Sequence, residues 1–204
     1  METIVLFQGD SITDTGRNRE NDNNKGYGYA NMVSGELGAN EPYRYVFYNR
    51  GISGNRVVDL FARMKVDMIN LKPDVMSILI GVNDVWHEYT RKNGVSAEKY
   101  ELVYDLLIQE LLRELPGLKL MLLEPFVLPG SATENTGEHP DRWEFFSTEV
   151  PLRAQAAKRL AEKYNLTFIP LQEMFNKANA DAPAPGYWLR DGVHPTSAGH
   201  TLIK

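Results

Sequence analysis

Four short stretches of this 204-residue chain combine residue types that can do nucleophilic chemistry. They are Gly9-Asp10-Ser11-Ile12-Thr13, Asn49-Arg50-Gly51-Ile52-Ser53-Gly54-Asn55, Gly81-Val82-Asn83-Asp84 and Asp191-Gly192-Val193-His194-Pro195. A serine hydroxyl is a weak nucleophile until a neighbouring base takes its proton, and histidine titrates in the range that suits this work. Ser11 and His194 are residues of those two types. Asp191 stands three positions before His194, and across a tight turn its carboxylate could accept a hydrogen bond from the far ring nitrogen. That bond would fix the tautomer and steady the imidazolium formed during attack. Taken one at a time, the stretches are unspecific. A Gly-Asp-Ser sequence is ordinarily a turn, Asn83 alone is a turn former, Gly54 alone signals a positive φ, and Asp-x-x-His recurs by chance. Asp10, Asp14 and Asp84 are further acids, but capping of local backbone and bracing of loops account for them.

The pattern between these stretches tells where they sit. Five β-rich runs cover residues 4–8, 45–49, 75–80, 119–123 and 167–170. Three are nearly continuous apolar segments (Ile-Val-Leu-Phe, Val-Met-Ser-Ile-Leu-Ile and Leu-Met-Leu-Leu), as expected of strands covered on both faces. Helical patterns lie between them. The clearest spans residues 96–115, where Tyr100, Val103, Tyr104, Leu107, Leu111 and Leu115 share one stripe and Glu98, Lys99, Glu101, Asp105 and Glu110 stay off it. Ser96 caps its start and Pro116-Gly117 stops it. Further helices are predicted over 29–37, 57–70, 150–164, 171–178 and 196–204, with Pro151 in a first turn, where proline is tolerated. Strands alternating with helices imply βαβ units, a mostly parallel sheet and helices on both faces. Such sheets hold ligands beyond the carboxyl ends of the strands, near the point where strand order reverses. The first three stretches directly follow the first three runs. The length suits one domain over residues 1–204.

Taken together and in this order, the stretches resemble the SGNH hydrolases, also called the GDSL esterase/lipase family, over residues 3–204. The four residues of the family name are matched by Ser11, Gly54, Asn83 and His194, and the family's acid by Asp191. The fuller strings Gly-Asp-Ser-Ile-Thr-Asp, Gly-Ile-Ser-Gly-Asn, Gly-Val-Asn-Asp-Val-Trp and Asp-Gly-Val-His-Pro look most like the carbohydrate acetylesterase branch, acetyl-xylan esterases included. The resemblance implies a three-layer α/β/α fold around a five-stranded parallel sheet of flavodoxin-like order 2-1-3-4-5. It implies a serine esterase without metal or cofactor, with Ser11 as nucleophile, His194 as base and Asp191 as acid. The oxyanion would be met by the backbone N–H groups of Ser11 and Gly54 and the side-chain amide of Asn83, a neutral donor that does not compete for the proton. Glycine at 54 would let the backbone approach closely. The Gly-x-Ser-x-Gly elbow of α/β-hydrolases is absent around both Ser11 and Ser53. Family members usually continue into a longer final helix, whereas this chain stops at Lys204. A shortened helix would leave apolar surface uncovered near His194, or present it to another copy of the chain in a homo-oligomer.

Composition narrows the partners. The 22 Lys and Arg against 27 Asp and Glu give a net charge of −5, the wrong sign for holding nucleic acid. With 43% apolar and 24% charged residues, wholesale disorder is excluded. No cysteine is present, which removes disulfides, thiol catalysis and Cys-based metal sites. The longest strongly apolar stretch, residues 75–82, is broken by Ser77 and Gly81 and falls far below the ~18 residues of a membrane span. The opening residues lack a basic region and a small-residue cleavage site, so a cytoplasmic location is expected, with prior removal of a leader as the alternative. His87-Glu88 lacks a second histidine at the helical offset, so no metal site is expected there. Gly26-Tyr27-Gly28 follows a polar loop, and Asn31 stands where a dinucleotide fingerprint needs glycine. His87, His139 and His200 read as surface or supporting residues. Tyr27, Tyr29, Trp86, Tyr89, Tyr187 and Trp188 flank the chemistry, and Tyr27, Trp86 and Trp188 are the candidate substrate contacts, able to stack on sugar rings or simply to wall the pocket. The polar, Asn-rich segment 17–25 is a poor lining for a long acyl chain. The expected substrate is therefore a small-molecule ester, an acetyl group on a xylo-oligosaccharide-like carbohydrate. The rivals are a lysophospholipase or thioesterase acting on longer chains, and a sugar-binding module without catalysis.

Overall fold

Strands built from uninterrupted apolar runs need cover on both faces, and the order of elements provides it. The computed structural model describes residues 2–184 and 186–204. Strands β1 (Thr3–Gly9), β2 (Tyr45–Asn49), β3 (Val75–Leu79), β4 (Lys119–Leu123) and β5 (Thr167–Ile169) form one sheet of order β2-β1-β3-β4-β5, every neighbouring pair parallel. The helices are α1 (Ser11–Asp14), α2 (Tyr29–Asn40), α3 (Val57–Asp67), α4 (Val82–Arg91), α5 (Ala97–Glu114), α6 (Arg142–Lys163), α7 (Gln172–Ala180) and α8 (Ser197–Ile203). Because strand side chains alternate, Leu6, Met76, Ile78, Leu120 and Leu122 point to one face, where Leu60, Tyr104, Leu107 and Leu160 of α3, α5 and α6 cover them. Val5, Phe7, Leu79 and Leu123 point to the other, against Tyr29, Ala30, Phe126 and Phe175. The result is the three-layer α/β/α architecture, with the doubly wound order expected from the resemblance. Among the described residues, no helix is long and apolar enough to cross a membrane.

Three elements differ from the sequence reading. A single helical turn, α1, follows β1 directly, closed by Asp10, whose Oδ1 accepts the Ile12 N–H at 2.9 Å. The Gly-Val-Asn-Asp stretch, read as a loop, opens helix α4 instead. Val82 and Val85 are buried and Trp86 and Tyr89 half-buried, an i, i+3, i+4, i+7 stripe that the loop reading overlooked.

The third difference is α6, which starts eight residues earlier than predicted and carries Pro151 in its interior. Phe146, Val150, Ala154, Ala157 and Ala161 form one buried stripe that runs past the proline, so tertiary packing overrides the local penalty. The proline removes the donor owed to the Ser147 carbonyl, which lies on a partly exposed residue within reach of water. Replacing Pro151 by alanine restores that donor, and is expected to raise stability by about 2 kcal/mol, read as a higher midpoint in urea. A lower midpoint would show that the ring's packing outweighs the missing bond.

Candidate active site

In the sheet order, β1 has β2 on one side and β3 on the other, so the chain leaves β1 and β3 toward opposite faces and opens a crevice at their carboxyl ends. Ser11 stands at the end of β1, and Asn83 lies in the first turn of α4 after β3. The Ser11 Oγ lies 2.9 Å from His194 Nε2, across a separation of 183 residues. His194 Nδ1 lies 2.7 Å from Asp191 Oδ2. A proton on Nδ1, donated to the carboxylate, leaves Nε2 free to accept from the serine hydroxyl.

The acid and the base share one tight turn. Asp191 Oδ1 accepts the backbone N–H of Val193 at 3.0 Å and of His194 at 2.8 Å, so the carboxylate is wrapped by its own chain. A short ladder closes the turn from outside, with Leu189 bridged to Pro195 and the Arg190 N–H on the His194 carbonyl at 3.0 Å. Gly192 has φ +93°, and a Cβ there would lie 2.4 Å from both the Leu128 carbonyl oxygen and Thr133 Oγ1. Only glycine fits this position. The segment after β4 presses on the turn and is bonded to it, Leu128 N–H to the Gly192 carbonyl at 2.9 Å and Ala132 N–H to the Asp191 carbonyl at 3.0 Å. Burial pushes the Asp191 carboxyl up, but the bonds from the His194 side chain and from the backbone N–H groups of His194 and Val193 outweigh it and hold the pKa at about 2.

The loops behind the serine are tied by buried carboxylates. Asp14 Oδ2 accepts both the N–H and the hydroxyl of Ser53, each at 3.0 Å, joining the β1 loop to the β2 loop. Asp84 accepts the Val57 N–H at 3.1 Å, joining α4 to α3. Burial pushes the Asp84 carboxyl up to about 8 and Asp10 up to about 7. Asn83 is buried, and its amide donates to the Asn55 carbonyl at 3.2 Å, beside Gly54. Gly54 has φ +83°, yet nothing lies nearer to a Cβ placed there than His87 Nε2 at 3.9 Å. The positive φ therefore requires glycine there, and no protein atom crowds the position. The backbone N–H groups of Ser11 and Gly54 meet no acceptor among the described residues.

A cavity of about 590 Å³ opens beside Ser11 and His194, lined also by Thr15, Tyr27, Ser53 and Arg190. A second, of about 520 Å³, lies at the other end of the sheet around Lys72, Asp74 and Leu115 and holds none of these residues. Of the aromatic candidates, Tyr27 is 74% exposed and lines the first cavity. Trp86 stands with its ring 5.9 Å from the His194 ring and edge-on to Phe146, beside the base and not in the lining. Trp188 is partly buried and does not line the cavity. Its indole N–H donates to the Ala178 carbonyl at 2.8 Å and its ring packs on the core.

Of the two placements expected for His200, surface or supporting, the structure gives the second. The residue is buried, accepts the Tyr29 N–H at Nδ1 at 3.2 Å, and burial pushes its pKa down to about 4. His200 and Arg190 were not singled out as site residues. Arg190 had a signal in the sequence, its place next to Asp191, whereas nothing local distinguishes His200.

Comparison with known proteins identifies the family of the chain. Residues 7–202 match the model of the GDSL-like Lipase/Acylhydrolase family. The chain is 35% identical to the acetylxylan esterase of Geobacillus stearothermophilus, over 98% of this chain and 89% of that protein. A crystal structure of that enzyme, Axe2, superposes with a TM-score of 0.82 at 33% identity, covering 100% of this chain and 92% of the other. Solved structures of Axe2 include two catalytic mutants, one with a serine and one with an aspartate replaced by alanine. A candidate GDSL-like lipase from Parabacteroides merdae gives a TM-score of 0.86 at 37% identity, covering 99% of this chain and 92% of that one.

The Asp191 geometry makes a prediction about acid stability. Its pKa is depressed from the ordinary 3.8 to about 2, so its contribution is present above pH ~4 and is lost as pH falls through ~2. The stability difference between the native chain and Asp191→Asn, measured by urea unfolding, is expected to shrink from pH 5 to pH 2. A constant difference would contradict the hydrogen-bonded carboxylate.

Proposed function

The chain belongs to the GDSL-like lipase/acylhydrolase family and is a carboxylic ester hydrolase, and from that premise we propose that it removes acetyl groups from a carbohydrate through a Ser11 acyl-enzyme. The observation that carries this reading is the unbroken chain Ser11 Oγ, His194 Nε2, His194 Nδ1, Asp191 Oδ2, with links of 2.9 and 2.7 Å. In the first step His194 Nε2 takes the hydroxyl proton as Ser11 Oγ attacks the acetyl carbonyl. The oxyanion is met by the free N–H groups of Ser11 and Gly54 and by the Asn83 amide. As the tetrahedral adduct collapses, His194 gives its proton to the leaving sugar oxygen and the acetyl group stays on Ser11. Water, deprotonated by His194, then attacks the acetyl-serine; as that adduct collapses the bond to Ser11 Oγ breaks, His194 returns the proton to Oγ, and acetate leaves.

Two features support the carbohydrate part. The relative at 35% identity is an acetylxylan esterase. The cavity wall beside Ser11 is rich in hydroxyls and carries the exposed ring of Tyr27, suited to a sugar and unsuited to a long alkyl chain.

Ser11→Ala is expected to abolish both turnover and labelling by a fluorophosphonate probe. Loss of the Asn83 side chain in Asn83→Ala should lower kcat by about 10²–10³. In a series of p-nitrophenyl esters, the rate should fall from acetate to longer chains. A rate that climbs beyond butyrate would replace the acetylesterase reading with a longer-chain acylhydrolase, and unlabelled native protein would point to a binding module.

A further inference from the structure

The cavity beside the nucleophile carries a single fixed charge. Its lining offers hydroxyls, two imidazoles and the guanidinium of Arg190, and no carboxylate. One of the imidazoles, His200, stays neutral because it is buried against Tyr29.

Arg190 is also unspent. Arg50, Arg56, Arg63 and Arg159 are each bonded to a carboxylate of the fold. The nearest carboxylate to Arg190 is Asp191, whose Oδ2 lies 4.0 Å from Nε and is already engaged by the His194 ring. Among the described residues the Arg190 side chain makes no hydrogen bond, and it is 69% exposed. Its backbone is not free, because the N–H is held on the His194 carbonyl at 3.0 Å. The backbone of residue 190 is thus fixed beside the base, and the guanidinium extends from it on a flexible stem with all five donors open.

The chemistry tells which half of the ester meets it. His194 must protonate the departing oxygen, so the alcohol part lies on the His194 side. The cavity runs along His194, Pro195, Thr196 and Ser197 and includes neither Gly54 nor Asn83. We propose that Arg190 is a specificity residue that holds a carboxylate on the alcohol part, so that the preferred substrate is an acetylated saccharide bearing a uronic acid. This rests on the saccharide esterase reading above. A planar guanidinium pairs with a carboxylate through two parallel bonds, and one arginine without a second cation in the lining matches a monovalent carboxylate better than a phosphate dianion.

The test compares kcat/KM for an acetylated xylo-oligosaccharide carrying a glucuronic acid with that for its neutral counterpart. The native enzyme should prefer the uronate by about five-fold, chiefly through KM, the size of a partly exposed charge pair. Arg190→Gln should bring the ratio to near one, Arg190→Lys should keep part of it, and added salt should erode it in the native enzyme. An equal ratio in the native enzyme and Arg190→Gln overturns the proposal. So does an equal loss of kcat on both saccharides, which would mean that Arg190 only steadies Asp191. If p-nitrophenyl acetate is cleaved and neither saccharide is, the saccharide reading fails and this inference falls with it.

Discussion

A hydroxyl at the end of the first strand must meet an imidazole 183 residues later at 2.9 Å, and most of the architecture serves that requirement. A hydrogen bond weakens steeply with angle and distance, so both partners need rigid supports. Ser11 obtains one by standing at the start of a helical turn capped by a buried aspartate. His194 obtains one from a turn in which the acid bonds the ring and two backbone N–H groups at once. The segment after β4 then pins that turn from behind, through Gly192 and a Thr133 hydroxyl bonded to the Leu128 carbonyl at 2.6 Å.

The remaining carboxylates near the site have a different task. Asp10, Asp14 and Asp84 are buried, and removing them from water is costly, as the raised pKa values of Asp10 and Asp84 record. What offsets that cost is backbone order. Each carboxylate takes N–H groups that would otherwise be orphaned at a helix start or loop, a penalty of about 1–3 kcal/mol per group. They cross-link the loops after β1, β2 and β3 and hold Ser11, Gly54 and Asn83 in a fixed frame. Arg153 of α6 extends the same frame, buried and donating to the Val95 carbonyl at 2.5 Å, while the Val95 N–H donates to the Asp84 carbonyl at 3.0 Å.

The sheet was legible because buried parallel strands write themselves as apolar runs, and the strands at 45–49 and 119–123 match their predicted limits. Residues 11, 191 and 194 were legible because their chemistry is tied to residue type and spacing. What stayed hidden depends on packing between distant segments. Helix α4 was masked because its first turn carries the Asn-Asp pair of a loop, which drew attention from the apolar stripe behind it and from its packing on α6. The start of α6 was masked by Pro151, whose local signal is to begin a helix and not to sit inside one. Trp188 looked like a sugar platform from its neighbours, yet the carbonyl that turns it inward belongs to α7. His200 reaches the cavity wall only because α8 folds back onto α2.

The sheet order also bears on how the molecule is born. During synthesis β1 is joined first by β2 and β3, and β4 and β5 then add outward along one edge, so each strand finds its neighbour already present. The hydroxyl of Ser11 emerges directly after the first strand, while the imidazole of His194 emerges only after the last strand is complete. At about 5–20 residues per second, that interval is on the order of 10–40 s on the ribosome. Until it ends, the nascent chain can present a folded sheet but no working base. Loss of the chain from α7 onward would leave a finished molecule in the same condition, removing Asp191 and His194 together while Ser11 stays in place.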